Sequence, residues 1–361
     1  MFNRKSRALT IKLIVLIVTG LVLIATSSHV WAKFKYGDAL YFVKRQALFS
    51  VLGMFLMSFT SCIKSEKIHE HHLKFLLLCF ISLVLVLIPG IGVQRNGSRS
   101  WFGAGSFLIQ PSEFFKLAAI FSTAALITGK KKVTGLIDIV GLMVIPCAGF
   151  LLILFQPDFG SGLVMVCSIV VMILAAGAPF RYFAMCALAG AVGLAGLIMA
   201  APYRMQRILS FLDPWSDPLG SGFQIIQSYY AIAPGGLLGR GLNQSMQKHF
   251  YLPEPQTDFI FAIACEELGW LGALCILSLY VLVLLDCVHI ALSLKNKFSS
   301  FVVIGITALF MIQVLINLGV VVGLFPVTGI TLPFLSYGGS SLVMLMGSFG
   351  LIIGMNNHDE A

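Results

Sequence analysis

Long apolar runs broken by short polar stretches dominate the chain. Runs such as LIVLIVTGLVLIAT (13–26) and LLLCFISLVLVLI (76–88) carry no charge. A chain of this length leaves much of its surface in water, so a soluble core cannot hide so many of them. Crossing a bilayer takes about 20 apolar residues. Stretches of that order fall near 11–30, 46–62, 73–91, 111–128, 135–154, 161–178, 183–201, 263–290, 300–323 and 341–356. The pattern predicts an all-α integral membrane protein with ten transmembrane helices in one polytopic domain, residues 1–361. The first span follows Arg4, Lys5 and Arg7 and ends near His29-Val-Trp-Ala32, as a signal peptide would; nine further spans favour an uncleaved anchor.

Composition agrees. Apolar residues make up 58% of the chain and charged ones 11%, against roughly 25% charged in ordinary globular proteins. A soluble catalytic domain and a nucleic-acid reader are both excluded, and the net charge of +9 has no polar domain on which to form a basic stripe. It reads instead as positive-inside lysines facing anionic lipids. With the N-terminus inside, thirteen Lys/Arg fall on the inner side, at 4, 5, 7, 12, 64, 67, 74, 130, 131, 132, 181, 295 and 297. The short outer loops and the membrane-embedded Lys116 hold seven. Trp31, Trp101, Trp215 and Trp270 all fall on the outer side, so both termini are expected inside and the working face outside. The eight cysteines lie almost entirely within apolar runs, as small buried hydrophobes rather than a disulfide frame. His69, His71 and His72 cluster in one polar stretch, but beyond Glu70 no cysteine or carboxylate spacing supports a metal there.

Most connections are short. Three outer segments are not: 92–110, the large extracytoplasmic loop 202–262, and 324–340. Glu113 and Lys116 stand three apart at the outer start of the fourth span, on one helix face, either neutralising each other or lining a polar cavity. In the large loop, Phe211, Trp215, Phe223, Tyr229, Tyr230, Phe250 and Tyr251 supply anchors that a disordered segment lacks. Thr257 and Asp258 would open the eighth span. A carboxylate at that boundary is either a helix cap or a base able to accept a proton from a hydroxyl; Glu266 and Glu267 are alternatives, better suited to contacts inside the bundle. Pro326, Gly329, Pro333, Gly338 and Gly339 forbid a straight helix over 323–341. The Gly-Gly-Ser-Ser end, with Ser340 and Ser341, opens the tenth span as a plain turn or as an anion site at a helix N-terminus. Asp158-Phe-Gly160 resembles a kinase motif only as a string, and the Asn-x-Ser triplets at Asn96 and Asn243 carry little weight.

Five segments say more. NGSRSWFGAGSFLIQPSEFFKL, FQPDFGSGLVM, APYRMQRILSFLDPWSDPLGSGFQIIQS, YLPEPQTDFIFAIACEELG and FPVTGITLPFLSYGGSSL resemble the SEDS family of bacterial proteins, which covers FtsW, RodA and SpoVE, with 202–262 closer to the FtsW and SpoVE branch. The resemblance runs over about residues 10–355. It implies a ten-span peptidoglycan glycosyltransferase of the bacterial cytoplasmic membrane that polymerises lipid II at the outer leaflet, for division or sporulation. It also implies a class B penicillin-binding transpeptidase as partner, alongside other divisome or elongation-complex proteins. The family's essential loop aspartate falls on Asp258, and its paired acid and lysine on Glu113 and Lys116. Candidates for the pyrophosphate are Arg95, Arg99, Arg204, Arg207, Arg240, Lys248 and Lys116, with a divalent metal ion left open as cofactor. A lipid II transporter and a noncatalytic scaffold for a penicillin-binding protein are the rival expectations, the first disfavoured because the polar candidates gather on the outer side rather than at the midplane.

Overall fold

The computed structural model describes residues 3–359 apart from 96, 105–106, 131, 200–204 and 206–208. Among the described residues a helix lies within each predicted apolar stretch: α1 (Arg4–Tyr36), α2 (Tyr41–Thr60), α3 (Ser65–Leu85), α4 (Pro111–Thr128), α5 (Leu136–Phe155), α6 (Phe159–Ala175) and α7 (Phe180–Met199). A short α8 (Phe223–Ile232) lies in the large loop, and α9 (Ile260–Ser293), α10 (Lys297–Val321) and α11 (Gly339–Asp359) complete the bundle. Seven of these helices are long and apolar enough to cross a membrane, namely α1, α2, α3, α5, α9, α10 and α11; α6 is apolar but shorter. The protein is a multi-pass helical membrane protein.

Both termini meet at one end of the bundle, called here the terminal end. Ser6 Oγ donates to Asn357 Oδ1 (2.9 Å) and Asn356 Nδ2 donates to Ser6 Oγ (2.9 Å), joining the first helix to the last. Within the bundle, Lys12 Nζ meets Asp286 Oδ2 at 2.6 Å, tying α1 to α9. α10 and α11 are the most buried of the long apolar helices, and α3 the least. α11 packs closely on α2 because its glycines let the backbones touch. A Cβ at Gly350 would sit 2.3 Å from Met57 O, and one at Gly354 2.5 Å from Ser61 O. Thr60 Oγ1 donates across this contact to Gly347 O (2.8 Å), a small-residue face with a polar cross-link.

The opposite end, the loop end, collects the three long connections. The first departs from the all-α expectation: β1 (Val93–Arg95), β2 (Ser98–Ala104) and β3 (Phe107–Ile109) form an antiparallel three-stranded meander. The signal was present in the Asn-Gly pair at 96–97, a strong hairpin turn former, and Gly97 takes φ 82°. The meander is pinned to the bundle: Ser100 Oγ donates to Gln156 O (3.1 Å), and Gln156 Nε2 donates in turn to Leu83 O (3.2 Å).

α9 is broken at Gly269, whose φ of 66° and ψ of −167° only glycine adopts without strain. A break inside an apolar helix strands backbone groups that lipid cannot satisfy. The segment after α8 supplies their partners. Arg240 N and Gly241 N donate to Glu266 O and Glu267 O (2.9 and 3.0 Å), and Trp270 N and Leu271 N donate to Gly236 O and Leu237 O (2.9 and 3.1 Å). Gly269→Ala would place a Cβ 2.2 Å from Gly239 N. The expected outcome is a lower unfolding midpoint for the purified protein in detergent, with about 1–3 kcal/mol lost to backbone strain alone and more to the clash. A midpoint equal to wild type would contradict this account of the break.

Candidate functional site

The irregular stretch 322–338 enters the bundle instead of covering it. Leu332, Phe334 and Leu335 are buried, and Phe334 stacks edge-on to Phe349 (5.4 Å between centroids). Non-helical backbone at membrane depth needs partners from its neighbours. Four polar side chains on three helices provide them. Gln313 Nε2 donates to Thr331 O (3.1 Å), Asn317 Nδ2 to Ile330 O (2.8 Å), Tyr280 Oη to Pro333 O (2.6 Å) and Gln46 Nε2 to Ser336 O (3.0 Å).

The same stretch holds Asp258. Asn317 Nδ2 donates a second bond, to Asp258 O (2.7 Å), so one buried amide clamps the start of α9 to residue 330. Tyr337 N donates to Gln256 O (2.8 Å), a second tie two residues upstream. Asp258 does not cap the helix, contrary to the reading of Thr257 and Asp258 as its opening: the N-cap is Phe259, without a side-chain cap. The Asp258 carboxylate is half-buried and accepts a hydrogen bond from Thr257 Oγ1 (2.7 Å).

Glu113 and Lys116 form a buried pair at 2.8 Å on the first turns of α4, which Pro111 begins. Beside them stands a carboxylate that sequence reasoning set aside. Asp158 caps α6 by accepting from Ser161 N (3.2 Å) and takes a bond from Gln110 Nε2 (2.8 Å), immediately before α4. Burial pushes the Asp158 carboxyl above its usual range; the Ser161 bonds and the Lys116 charge pull it back, and Glu113 adds to the rise. The segment 328–330 links this trio to Asp258. Gly160 packs where a Cβ would lie 3.2 Å from Thr328 O and 2.7 Å from Ile330 Cγ1, so α6 begins against the segment that Asn317 fastens to Asp258. Buried oxygens without partners gather along this path: Ser112 Oγ, Gln256 Oε1, Asn317 Oδ1 and Thr328 Oγ1.

The other predicted residues divide. Glu266 and Glu267 are buried, as their alternative role inside the bundle required. Glu266 accepts from Ser245 Oγ (2.6 Å), Met246 N (2.8 Å) and Arg240 Nη1 (3.2 Å). Lys248, also buried, faces Glu267 at 3.5 Å and donates to Asn243 Oδ1 (2.8 Å). Burial lowers the Lys248 pKa, and Glu267 and Glu266 oppose that shift. Arg240 and Lys248 therefore hold the large loop to α9 through charges of their own. Arg99 Nη1 reaches Leu87 O at 3.5 Å. Arg204 and Arg207 lie outside the described residues, as does the side chain of Arg95. Ser340 does not offer a free hydroxyl: it donates to Leu108 O, joining α11 to β3. Ser341 follows it on the first turn of α11, half-buried. Among the described residues no group of three or more His, Cys, Asp or Glu side chains comes together as a metal site.

The fold and site define a class: multi-pass helical membrane proteins whose irregular loop-end segments hold carboxylates and a buried lysine. Within that class, the sequence pattern of the cell cycle protein family of FtsW, RodA and SpoVE matches residues 7–361, and the chain belongs to that family. It is 49% identical over 357 residues to stage V sporulation protein E of Bacillus subtilis, covering 98% of this chain and 97% of the relative. It is 37% identical to the probable peptidoglycan glycosyltransferase FtsW of Saccharophagus degradans, over 98% of this chain and 93% of that one. A chain from the solved structure described as "Structural coordination of polymerization and crosslinking by a peptidoglycan synthase complex" superposes with a TM-score of 0.83 at 28% identity, covering 99% of this chain and 98% of that chain. The rod shape determining protein RodA of Thermus thermophilus shares the fold with a TM-score of 0.74 at 24% identity, over 100% of this chain and 98% of that one. The resemblance noted in the sequence is borne out at the level of family and fold.

Removing one partner of a buried ion pair leaves the other charge uncompensated and costs about 3–5 kcal/mol, whereas replacing both with apolar groups is often neutral. Lys116→Met is expected to destabilise the purified protein in that range, and the double variant Glu113→Leu/Lys116→Met to recover most of the loss. Thermal unfolding of the two variants in one detergent checks this; a double variant no more stable than Lys116→Met would mean that the loss does not come from leaving Glu113 uncompensated.

Proposed function

We propose that this chain is a peptidoglycan glycosyltransferase that polymerises lipid II into glycan strands, with Asp258 as the general base. In this reading the terminal end faces the cytoplasm, where the excess of Lys/Arg lies, and the loop end faces outward at the outer leaflet of the cytoplasmic membrane. The names of the relatives supply the reaction class. The observation that carries the residue assignment is the Asn317 fork, which fixes the backbone of a half-buried aspartate against an irregular segment at the loop end.

The chemistry suits one carboxylate. As the acceptor sugar hydroxyl attacks the donor's anomeric carbon, it must lose a proton to a base within about 3 Å. The leaving group is an undecaprenyl pyrophosphate, stable as it departs, so the second, protonated carboxylic acid that glycosidases use is not needed. Direct displacement inverts the anomeric centre, taking an α-linked donor to a β-linked polymer. Lys116 is the proposed cation for the departing diphosphate, at the start of α4 with Glu113 as its partner and Asp158 near enough to feel its charge. Arg95, Arg99, Arg204 and Arg207 remain candidates by side and charge. Arg240 and Lys248 carry less weight because they tie the large loop to α9 through Glu266 and Glu267. A class B penicillin-binding transpeptidase is the proposed partner, supported by the described role of the peptidoglycan synthase complex whose chain this one resembles.

Purified protein in detergent, given lipid II, tests the reading, since polymer forms there without two compartments and transport cannot. Wild type is expected to yield glycan polymer, and Asp258→Asn to lose about 10²–10⁴ of the rate. Full polymerisation by Asp258→Asn, with its fold intact, would remove that residue as base; no polymer from the wild type with its transpeptidase would favour the scaffold.

A further inference from the structure

The large loop carries an unusual surface. Leu237 and Leu238 are 72% and 78% exposed, and Leu242, Met246, Phe250 and Tyr251 are each exposed by half or more. In water, an apolar rim of this kind marks a binding face. Its position says what covers it. Phe250 packs on the outer end of α1, edge-on to Trp31 (5.5 Å between centroids) and Phe34 (5.3 Å). Gly236 and Leu237 are hydrogen-bonded to Trp270 and Leu271 at the break in α9. Leu237, bonded at the Leu271 amide, adjoins the apolar side chains that α9 exposes, Leu271, Leu274, Leu282 and Leu285. The rim therefore continues the lipid-facing flank of α9. Lys35 sits 5.6 Å over the Trp31 ring, an aromatic and basic pairing typical of a membrane boundary.

The backbone beneath the rim argues for lipid rather than water. An irregular segment in a leaflet must satisfy its amides internally, whereas an aqueous loop leaves them to solvent. Here Gly239 N donates to Gly235 O (2.8 Å), and Arg240 N and Gly241 N donate to the carbonyls freed in α9. Ser245 N bonds Glu267 Oε1 (3.4 Å), Met246 N and Gln247 N bond Glu266 (2.8 and 3.4 Å), and Lys248 N bonds Ser245 Oγ (3.4 Å). His249 N and Leu252 N close on Met246 O and Gln247 O (3.1 and 2.9 Å). Inward, Lys248 is buried against Glu267, and Arg240, with part of its side chain exposed, reaches Glu266. Outward, the apolar residues alternate with exposed Asn243, Gln244 and His249, the mixed face of an element that lies at a lipid boundary.

We propose that residues 237–251 form an interfacial element whose apolar rim is immersed in the lipid leaflet at the loop end. The element follows the lipid flank and stands whether or not Asp258 is a base. The test is collision accessibility in vesicles of phosphatidylcholine and phosphatidylglycerol. A spin label attached to a ketone-bearing amino acid at position 238 or 250 leaves the native cysteines untouched. Oxygen, which partitions into lipid, should collide with these labels several-fold more than a water-soluble nickel chelate, as at the lipid-facing control Leu285 and opposite to Glu70 in the polar stretch of α3. Nickel contact matching that at Glu70 would place the rim in water and overturn the proposal. Shielding from both reagents would show that protein, a partner or a second copy, covers it, and would overturn it equally. If the label at 238 prevents folding, the same measurement at Met246 or Tyr251 decides.

Discussion

A backbone amide or carbonyl in hydrocarbon has no water to turn to, and everything distinctive in this molecule answers to that constraint. Straight helices meet it by themselves. Where the described chain leaves helical geometry at the start of α9, over 323–338 and at Gly269, borrowed groups meet it. The amide of Asn317 serves two carbonyls at once, Asp258 O and Ile330 O. Gln313, Tyr280 and Gln46 serve the rest of 323–338. At Gly269 the loop's own backbone replaces the bonds that the helix gives up. This substitution fixes the backbone of Asp258 at the loop end while Phe259, not Asp258, stands at the helix N-cap.

The buried charges obey a related logic. Glu266 gathers donors from a serine, an arginine and backbone amides, and its role is architectural: it fastens the large loop to α9. Glu113, Lys116 and Asp158 form a smaller group with fewer donors per charge, and partnerless oxygens lie nearby. A buried pair is weak evidence for stability, since apolar replacements of the same volume often hold a fold as well.

Much of this was legible in the chain. Apolar runs of membrane length located every long helix, and Glu113 with Lys116 was visible as a spacing on one face. The fate of other residues was not legible, because their partners are distant in sequence. Asn317 and Gln313 sit four apart in an apolar run, which marks a polar helix face, yet nothing local says which carbonyls they meet. Asp158 was passed over as a chance string because its neighbours in space, Gln110 and Lys116, come from another helix. The meander at 93–109 falls in the segment 92–110 that breaks the helical pattern, and Asn-Gly marks its first turn, but the pairing of its strands is not written in any alternation along the chain.

The sequence by itself determined the solvent. Hydrophobic burial sums over residues regardless of order in space, so composition and run length suffice to commit the chain to a bilayer and to helices, while the resemblance of its loop motifs points to the family. Tertiary structure alone decided which polar groups are spent on the fold and which are left for chemistry. Arg240, Lys248 and Ser340 were candidates by type and side, and folding assigned them to Glu266, Glu267 and Leu108. Hydrogen bonds and ion pairs act over a few ångströms between segments a hundred or more residues apart, as Ser340 and Leu108 are. No pattern along the chain records which partner will arrive.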